Sequence, residues 1–209
     1  MPYHYTNRWF DINAKNAWDK MIPKLKPKKI LEVGSYEGAS ACYLIENISA
    51  DHDCEIHCVD SWEGGVEHKP GGQGEVDMQS VEDRFNSNIE FARKYHGDRV
   101  KLVKHKGLSD FQLAKLIVEG HENSFDFVYI DGSHQAVDVL CDAVLGFKLL
   151  RLGGVMAFDD YIWEENLPGG PDASRCPKPA IDAFTNIYFK KIKILNTPIS
   201  QLYLQKRAN

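Results

Sequence analysis

The chain has 209 residues, 43% of them apolar and 26% charged, with a formal net charge of −5. That length suits one domain whose core needs no staples. The acidic balance excludes non-specific nucleic-acid binding as the main task. The two short basic clusters, Lys24–Lys29 and Lys190–Lys193, read as solvated faces. No apolar run approaches the ~18 residues of a membrane span. The start, MPYHYTNRWFD, lacks the basic-then-apolar layout of a secretion signal. The cysteines, Cys42, Cys54, Cys58, Cys141 and Cys176, are scattered and odd in number. Together these features lead to the expectation of a cytoplasmic protein in a reducing compartment.

Taken in chain order, apolar runs alternate with helical patterns, which signals a parallel α/β sheet. A helix near Asn7–Met21 comes first, and Pro23 and Pro27 break the chain after it. KKILEVG is the first strand, and EGASACYLIENI the helix that follows. CEIHCVD is the second strand. The surrounding HDCEIHC holds zinc-type ligands, but their spacing fits no standard site. SVEDRFNSNIEFARKY is helical, VKLVKHK a strand, SDFQLAKLIVEG a helix and FDFVYID the fourth strand. HQAVDVLCDAVLGFKLL is a long amphipathic helix with apolar Val137, Leu140, Cys141, Val144 and Leu145. Gly153-Gly154 turns the chain into a fifth strand, VMAFDD. A helix over PAIDAFTNIYF precedes two alternating runs, KKIKIL and SQLYLQKR, joined through Asn196-Thr197-Pro198. That is a hairpin, so the last strand should lie antiparallel in an otherwise parallel sheet. The expected fold is a Rossmann-like, doubly wound, seven-stranded sheet. Residues 1–28 form an N-terminal helical lid or dimer segment, and residues 29–209 the domain. Two Gly- or Pro-rich loops, residues 63–75 and 167–179, follow the second and fifth strands, on the side where open α/β sheets bind ligands.

Three groups of residues carry chemistry. EVGSYEGAS, Glu32–Ser40, joins a strand to a helix. Gly34 permits a tight turn and close approach to a ligand, and Gly38 lets the helix start pack closely on the strand. The E-x-G-x-x-x-G spacing is neither a dinucleotide fingerprint nor a phosphate loop. Glu32 suits a cationic partner instead. Asp60 ends the second strand, where a carboxylate accepts two ribose hydroxyls, and Trp62 beside it offers a face for adenine.

The third group lies at YIDGSH and AFDDY. Neighbouring fourth and fifth strands bring Asp131, Asp159 and Asp160 together. Two carboxylates ~4 Å apart repel by roughly 1 kcal/mol in water and roughly 4 at an effective dielectric of 20. A divalent cation offsets that, and hard oxygen ligands select Mg²⁺, Mn²⁺ or Ca²⁺, with Mg²⁺ preferred. His134, three residues after Asp131, faces the same cleft. It is placed to take a proton from a hydroxyl whose pKa the metal has lowered.

The order E-x-G-x-x-x-G, strand-two Asp, FDFVYIDGSH, LLRLGGVMAFDDY resembles class I S-adenosylmethionine-dependent methyltransferases. Within them it is most similar to metal-dependent small-molecule O-methyltransferases of the macrocin and cephalosporin type, and more distantly to catechol methyltransferases. The similarity spans residues 29–161. It implies S-adenosylmethionine as cofactor, held by Glu32, Gly34, Ser35, Gly38, Asp60, Trp62, Ser109 and Asp131. It also implies a metal on Asp131, Asp159 and Asp160, with His134 as the base. The acceptor expected is a small hydroxylated molecule such as a sugar or natural product, and a homo-oligomer is open. The competing readings are a catalytically silent cofactor-binding or interaction module and an NAD-dependent dehydrogenase. The missing G-x-G-x-x-G and the final hairpin argue against the second.

Overall fold

Ile30, Leu31 and Val33 make β1 (Lys29–Val33) apolar on both faces, so helices must cover both sides of it. In the computed structural model, which describes residues 3–72, 74–97 and 99–209, seven strands form one sheet in the order β3-β2-β1-β4-β5-β7-β6. Met1 and Pro2 of the N-terminal segment and Gln73 of the Gly-rich loop lie outside the described residues. Strands β2 (Cys54–Asp60), β3 (Val100–Lys106), β4 (Phe125–Ile130) and β5 (Leu150–Phe158) join β1 in parallel. Strand β7 (Leu202–Lys206) inserts antiparallel between β5 and β6 (Ile192–Leu195), as the hairpin reading required.

The helices sort onto the two faces. Helices α2 (Lys15–Leu25), α3 (Ala39–Ile48) and α4 (Met78–His96) cover one face, where Trp18, Phe85, Phe127, Tyr129 and Tyr203 pack. Helices α5 (Ser109–Val118), α6 (Ala136–Leu149) and α7 (Pro177–Ile187) cover the other, around Val128, Ile130, Phe147, Phe158 and Phe184. The alternation of Phe127 and Tyr129 with Val128 and Ile130 is the period-two signature of a strand buried on both sides.

Three expectations need correction. The first helix is interrupted: α1 (Trp9–Ile12) ends at Asn13, and α2 then runs through Pro23 rather than stopping before it. Buried Trp18 and Ile22 anchor α2, and Lys26, at φ 45°, closes it by donating its N–H to the Ile22 carbonyl at 2.9 Å. Strand β5 begins at Leu150, not after Gly153-Gly154. The glycine pair sits in an irregularity where pairing jumps from Phe125–Leu150 to Phe127–Val155. Gly153, at φ 79°, takes the left-handed conformation that this bulge needs. Gly38 packs its helix start against Phe85 of α4, where a Cβ would come within 3.0 Å, rather than against the strand.

Candidate active site

The carboxyl ends of β1, β2, β4 and β5 open into one cavity of about 700 Å³. The chain reaches it through short continuations of the ladder. The Gly34 N–H donates to Val59 at 2.8 Å, the Asp131 N–H to Val33 at 2.8 Å, and the Asp159 N–H to Ile130 at 3.0 Å. Strand pairing therefore carries each motif residue to the rim. Gly34 sits at φ 86°, and a Cβ there would lie 2.0 Å from the Asp131 carbonyl oxygen. Only glycine lets the first turn press against the fourth strand's end.

Asp60 holds that turn in place. Its Oδ2 accepts the N–H groups of Ser35 and Tyr36, each at 2.9 Å, and its Oδ1 accepts that of Trp62 at 2.7 Å. The carboxylate still lines the cavity. Gly34, Ser109 and Asp131 line it as well, together with His134, Asp159 and Asp160. Glu32, Ser35, Gly38 and Trp62 stand behind the wall instead. Glu32 is fully buried, and both of its oxygens are taken by the Ser35 and Ser40 hydroxyls. Burial pushes its carboxyl up, so it staples the glycine turn to α3 rather than facing a cation. Trp62, at φ 50°, turns inward. Its indole N–H donates to the Tyr36 carbonyl at 3.0 Å, its ring packs on Phe85, and the Lys104 ammonium sits 4.1 Å over it. It supports the turn from the core and presents no face to the cavity.

The acids at the other end influence one another. Asp131 is held well above the ordinary carboxylate range by burial, then by Asp159 and Asp160. Asp159 is raised by burial, then by Asp160. Its oxygens are engaged inward, accepting from the Tyr129 hydroxyl, from Gln201 Nε2 at 2.9 Å and from the Asp160 N–H at 2.9 Å. The chain of bonds continues from the Tyr203 hydroxyl to Gln201 at 2.8 Å and from the Trp18 indole to Tyr203 at 3.0 Å. Asp160, at φ 54°, points the other way and meets His134, with Nε2 to Oδ2 3.1 Å. The His134 ring stacks on Trp163, centroids 3.9 Å apart. Among the described residues, no three His, Cys, Asp or Glu side chains are gathered as a ready metal cluster.

Aromatic rings shape the mouth. Trp9 packs on Tyr36 at 5.3 Å, and Tyr36 stacks on His68 at 5.7 Å. Gly64, Gly65 and His68 bring the first Gly-rich loop to the cavity, whereas none of the described residues 167–179 borders it. Asp142 also lines it, and the motif reading missed that residue. The signal was present: an acid on the buried stripe of α6, between Val139 and Gly146.

Residues 31–161 match the family model described as a methyltransferase domain. The match covers more than half of the chain, which therefore belongs to that family and carries a domain of the class I, S-adenosylmethionine-dependent methyltransferase type. Its curated relatives include "Probable caffeoyl-CoA O-methyltransferase 3" of Dictyostelium discoideum, 27% identical over 77% of this chain and 57% of the relative. Another is "Uncharacterized protein R132" of Acanthamoeba polyphaga mimivirus, 26% identical over 63% of this chain and 50% of the relative. The chain thus spans about half the length of the curated relatives it matches. Among solved structures, an O-methyltransferase from Bacillus cereus in complex with SAH aligns with a TM-score of 0.63. It is 20% identical and covers 99% of this chain and 84% of that one. The O-methyltransferase TomG of Streptomyces achromogenes gives a TM-score of 0.63 at 18% identity, over 90% of this chain and 77% of that one. At these identities the structural likeness speaks for the fold.

Proposed function

We propose that the chain transfers a methyl group from S-adenosylmethionine to a hydroxyl of a small acceptor. The observation that carries this is one cavity joining Asp60 at its β2 end to the His134–Asp160 pair at its β4–β5 end. The sulfonium methyl is already electrophilic, so the protein needs no acid for the leaving group. Its tasks are to align the acceptor oxygen and remove a proton. Asp60, pinned by three backbone N–H groups, keeps one of its roughly four lone-pair sites, on Oδ1, for a ribose hydroxyl. His134 is the base. Asp160 orients its Nε2 and stabilises the imidazolium that forms, and Trp163 fixes the ring plane. The ring faces of Trp9, Tyr36 and His68 suit the flat or C–H face of a hydroxylated ring, whether a sugar or an aromatic natural product.

The donor set also suits a divalent metal such as Mg²⁺. It consists of hard carboxylate oxygens, and burial with neighbouring carboxylates raises those of Asp131 and Asp159. Asp131 and Asp160 would hold the ion, with Asp159 contributing whatever lone pairs its inward bonds leave. Bound there, the ion would lower the pKa of an acceptor hydroxyl.

The test is a titration with S-adenosylhomocysteine, followed by turnover on hydroxylated acceptors with Mg²⁺ and with chelator. Binding with methyl transfer to oxygen supports the reading, and absence of binding overturns it. Loss of turnover in chelator with binding unchanged supports the metal. Unchanged turnover removes it.

A further inference from the structure

The permanent charges around the cavity are of one sign. Asp60, Asp110, Asp131, Asp138, Asp159 and Asp160 line it, and no described residue of its wall is Lys or Arg. The cations on neighbouring elements are committed elsewhere. Arg84 donates from Nε to the buried Glu37 at 2.6 Å. Lys104 donates to one oxygen of Glu82 at 2.7 Å, and Lys106 to the other. Lys69, beside His68, donates to the Glu63 carbonyl at 2.6 Å, and Arg8, beside Trp9, meets Asp11 at 3.4 Å. His68 accepts the Gly65 N–H on Nδ1 at 3.1 Å, which only the neutral ring can do.

A sulfonium nucleoside and a divalent ion together bring less positive charge than these aspartates carry negative. An anionic acceptor would enter a field of its own sign and find no side-chain cation to replace the water it leaves behind. A coenzyme A thioester, the acceptor in the name of the Dictyostelium relative, carries several phosphate charges that nothing in this wall would meet. A cationic acceptor meets the opposite case. The field attracts it, and the rings of Trp9 and Tyr36, packed at 5.3 Å at the mouth, offer faces over which an ammonium is favoured.

We propose that the acceptor end selects by charge: it takes a hydroxylated ring that bears an amine, takes the uncharged analogue less well, and rejects carboxylates and coenzyme A thioesters. This rests on the methyltransferase reading above. It narrows the acceptor class given there from any small hydroxylated molecule to one that carries positive charge.

The experiment measures methyl transfer at neutral pH, with Mg²⁺, to a catechol ring and to a hexose. Each scaffold carries an amine, a hydroxyl or a carboxylate, and caffeoyl-CoA is run alongside. On at least one scaffold kcat/KM should fall about tenfold or more from amine to carboxylate, with the hydroxyl between, and caffeoyl-CoA should give no product. Added salt should narrow the gap, because screening acts on charge and not on shape. Asn13→Lys, which puts a cation into the wall, should narrow it too. A thermal midpoint within a few degrees of the wild type shows that this variant folds. A carboxylate or caffeoyl-CoA used as well as the amine would overturn the inference alone, as would a gap that neither salt nor a folded Asn13→Lys moves. So would a chain that binds S-adenosylhomocysteine yet methylates none of these compounds. A chain that does not bind S-adenosylhomocysteine would overturn the methyltransferase reading, and this inference with it.

Discussion

Single atoms decide much of this site. A methyl group added at position 34 would lie 2.0 Å from the Asp131 carbonyl, against backbone that cannot yield. Gly34→Ala should therefore abolish S-adenosylhomocysteine binding and lower the thermal midpoint, checked by calorimetry and a melting curve. His134 presents a different case, since its ring lies in the cavity wall and supports no core. His134→Ala should lower kcat by about 10²- to 10⁴-fold, the usual worth of a general base, with cofactor affinity within a factor of three. Loss of cofactor binding in that variant would remove His134 from the role of base. Residue type alone pointed to Asp60, Asp131, Asp159, Asp160 and His134, and all of them reach the cavity. It also pointed to Trp62 as an adenine platform. Trp62 went into the core because the backbone turns left-handed at that residue, which no side-chain pattern announces.

At the scale of elements, the antiparallel hairpin does more than close the sheet. Strand β7 follows Gln201 and carries Tyr203, and these join Trp18 of α2 to Asp159 beyond β5 in one buried run of hydrogen bonds. The partners Trp18 and Tyr203 are 185 residues apart in the chain. Such a network repays its desolvation only when every member is satisfied. Gln201→Leu would leave Asp159 Oδ1 short of a donor and Tyr203 short of an acceptor. The expected loss is about 1–3 kcal/mol. For a chain of this length each kcal/mol moves the melting midpoint by about 2–4 °C, so a drop of several degrees should appear in a thermal scan. The strand and helix order was legible because both follow from short-range periodicity; β2 and β3 match their expected spans residue for residue. The interruption before α2 was not legible. Its cause is the seating of Trp18 and Phe10 against Tyr43 and Phe127, contacts made across the fold.

For the whole molecule, one part of the pH dependence comes from a group remote from the cavity. His57 is buried between Glu55 and His105, and its imidazole is pushed down to about 4, chiefly by burial. Its ordinary value is 6.5. Between these values the unfolded chain binds a proton that the folded chain refuses. Stability is therefore lost as pH falls from about 6.5 to about 4, by on the order of 3 kcal/mol in all. His57→Gln should flatten that part of a melting-midpoint profile; an unchanged slope would show that other groups set it. Asp142 runs the opposite way. Its folded value lies above the usual 3.8, so its contribution is fully present below that and is lost as pH rises through about 7.

By itself the sequence determined the parallel sheet, the reversed final strand and the placing of acids at strand ends. Each of these follows from local alternation and from strand-to-helix order. The tertiary structure alone decided which of the two glycine-rich loops walls the cavity, that Glu32 and Trp62 face inward, that Asp160 pairs with His134, and that Asp142 is buried in the cavity wall. Those outcomes depend on the sign of φ at single loop residues and on segments brought together from distant parts of the chain. Periodicity records which face a residue occupies, but not what arrives opposite it.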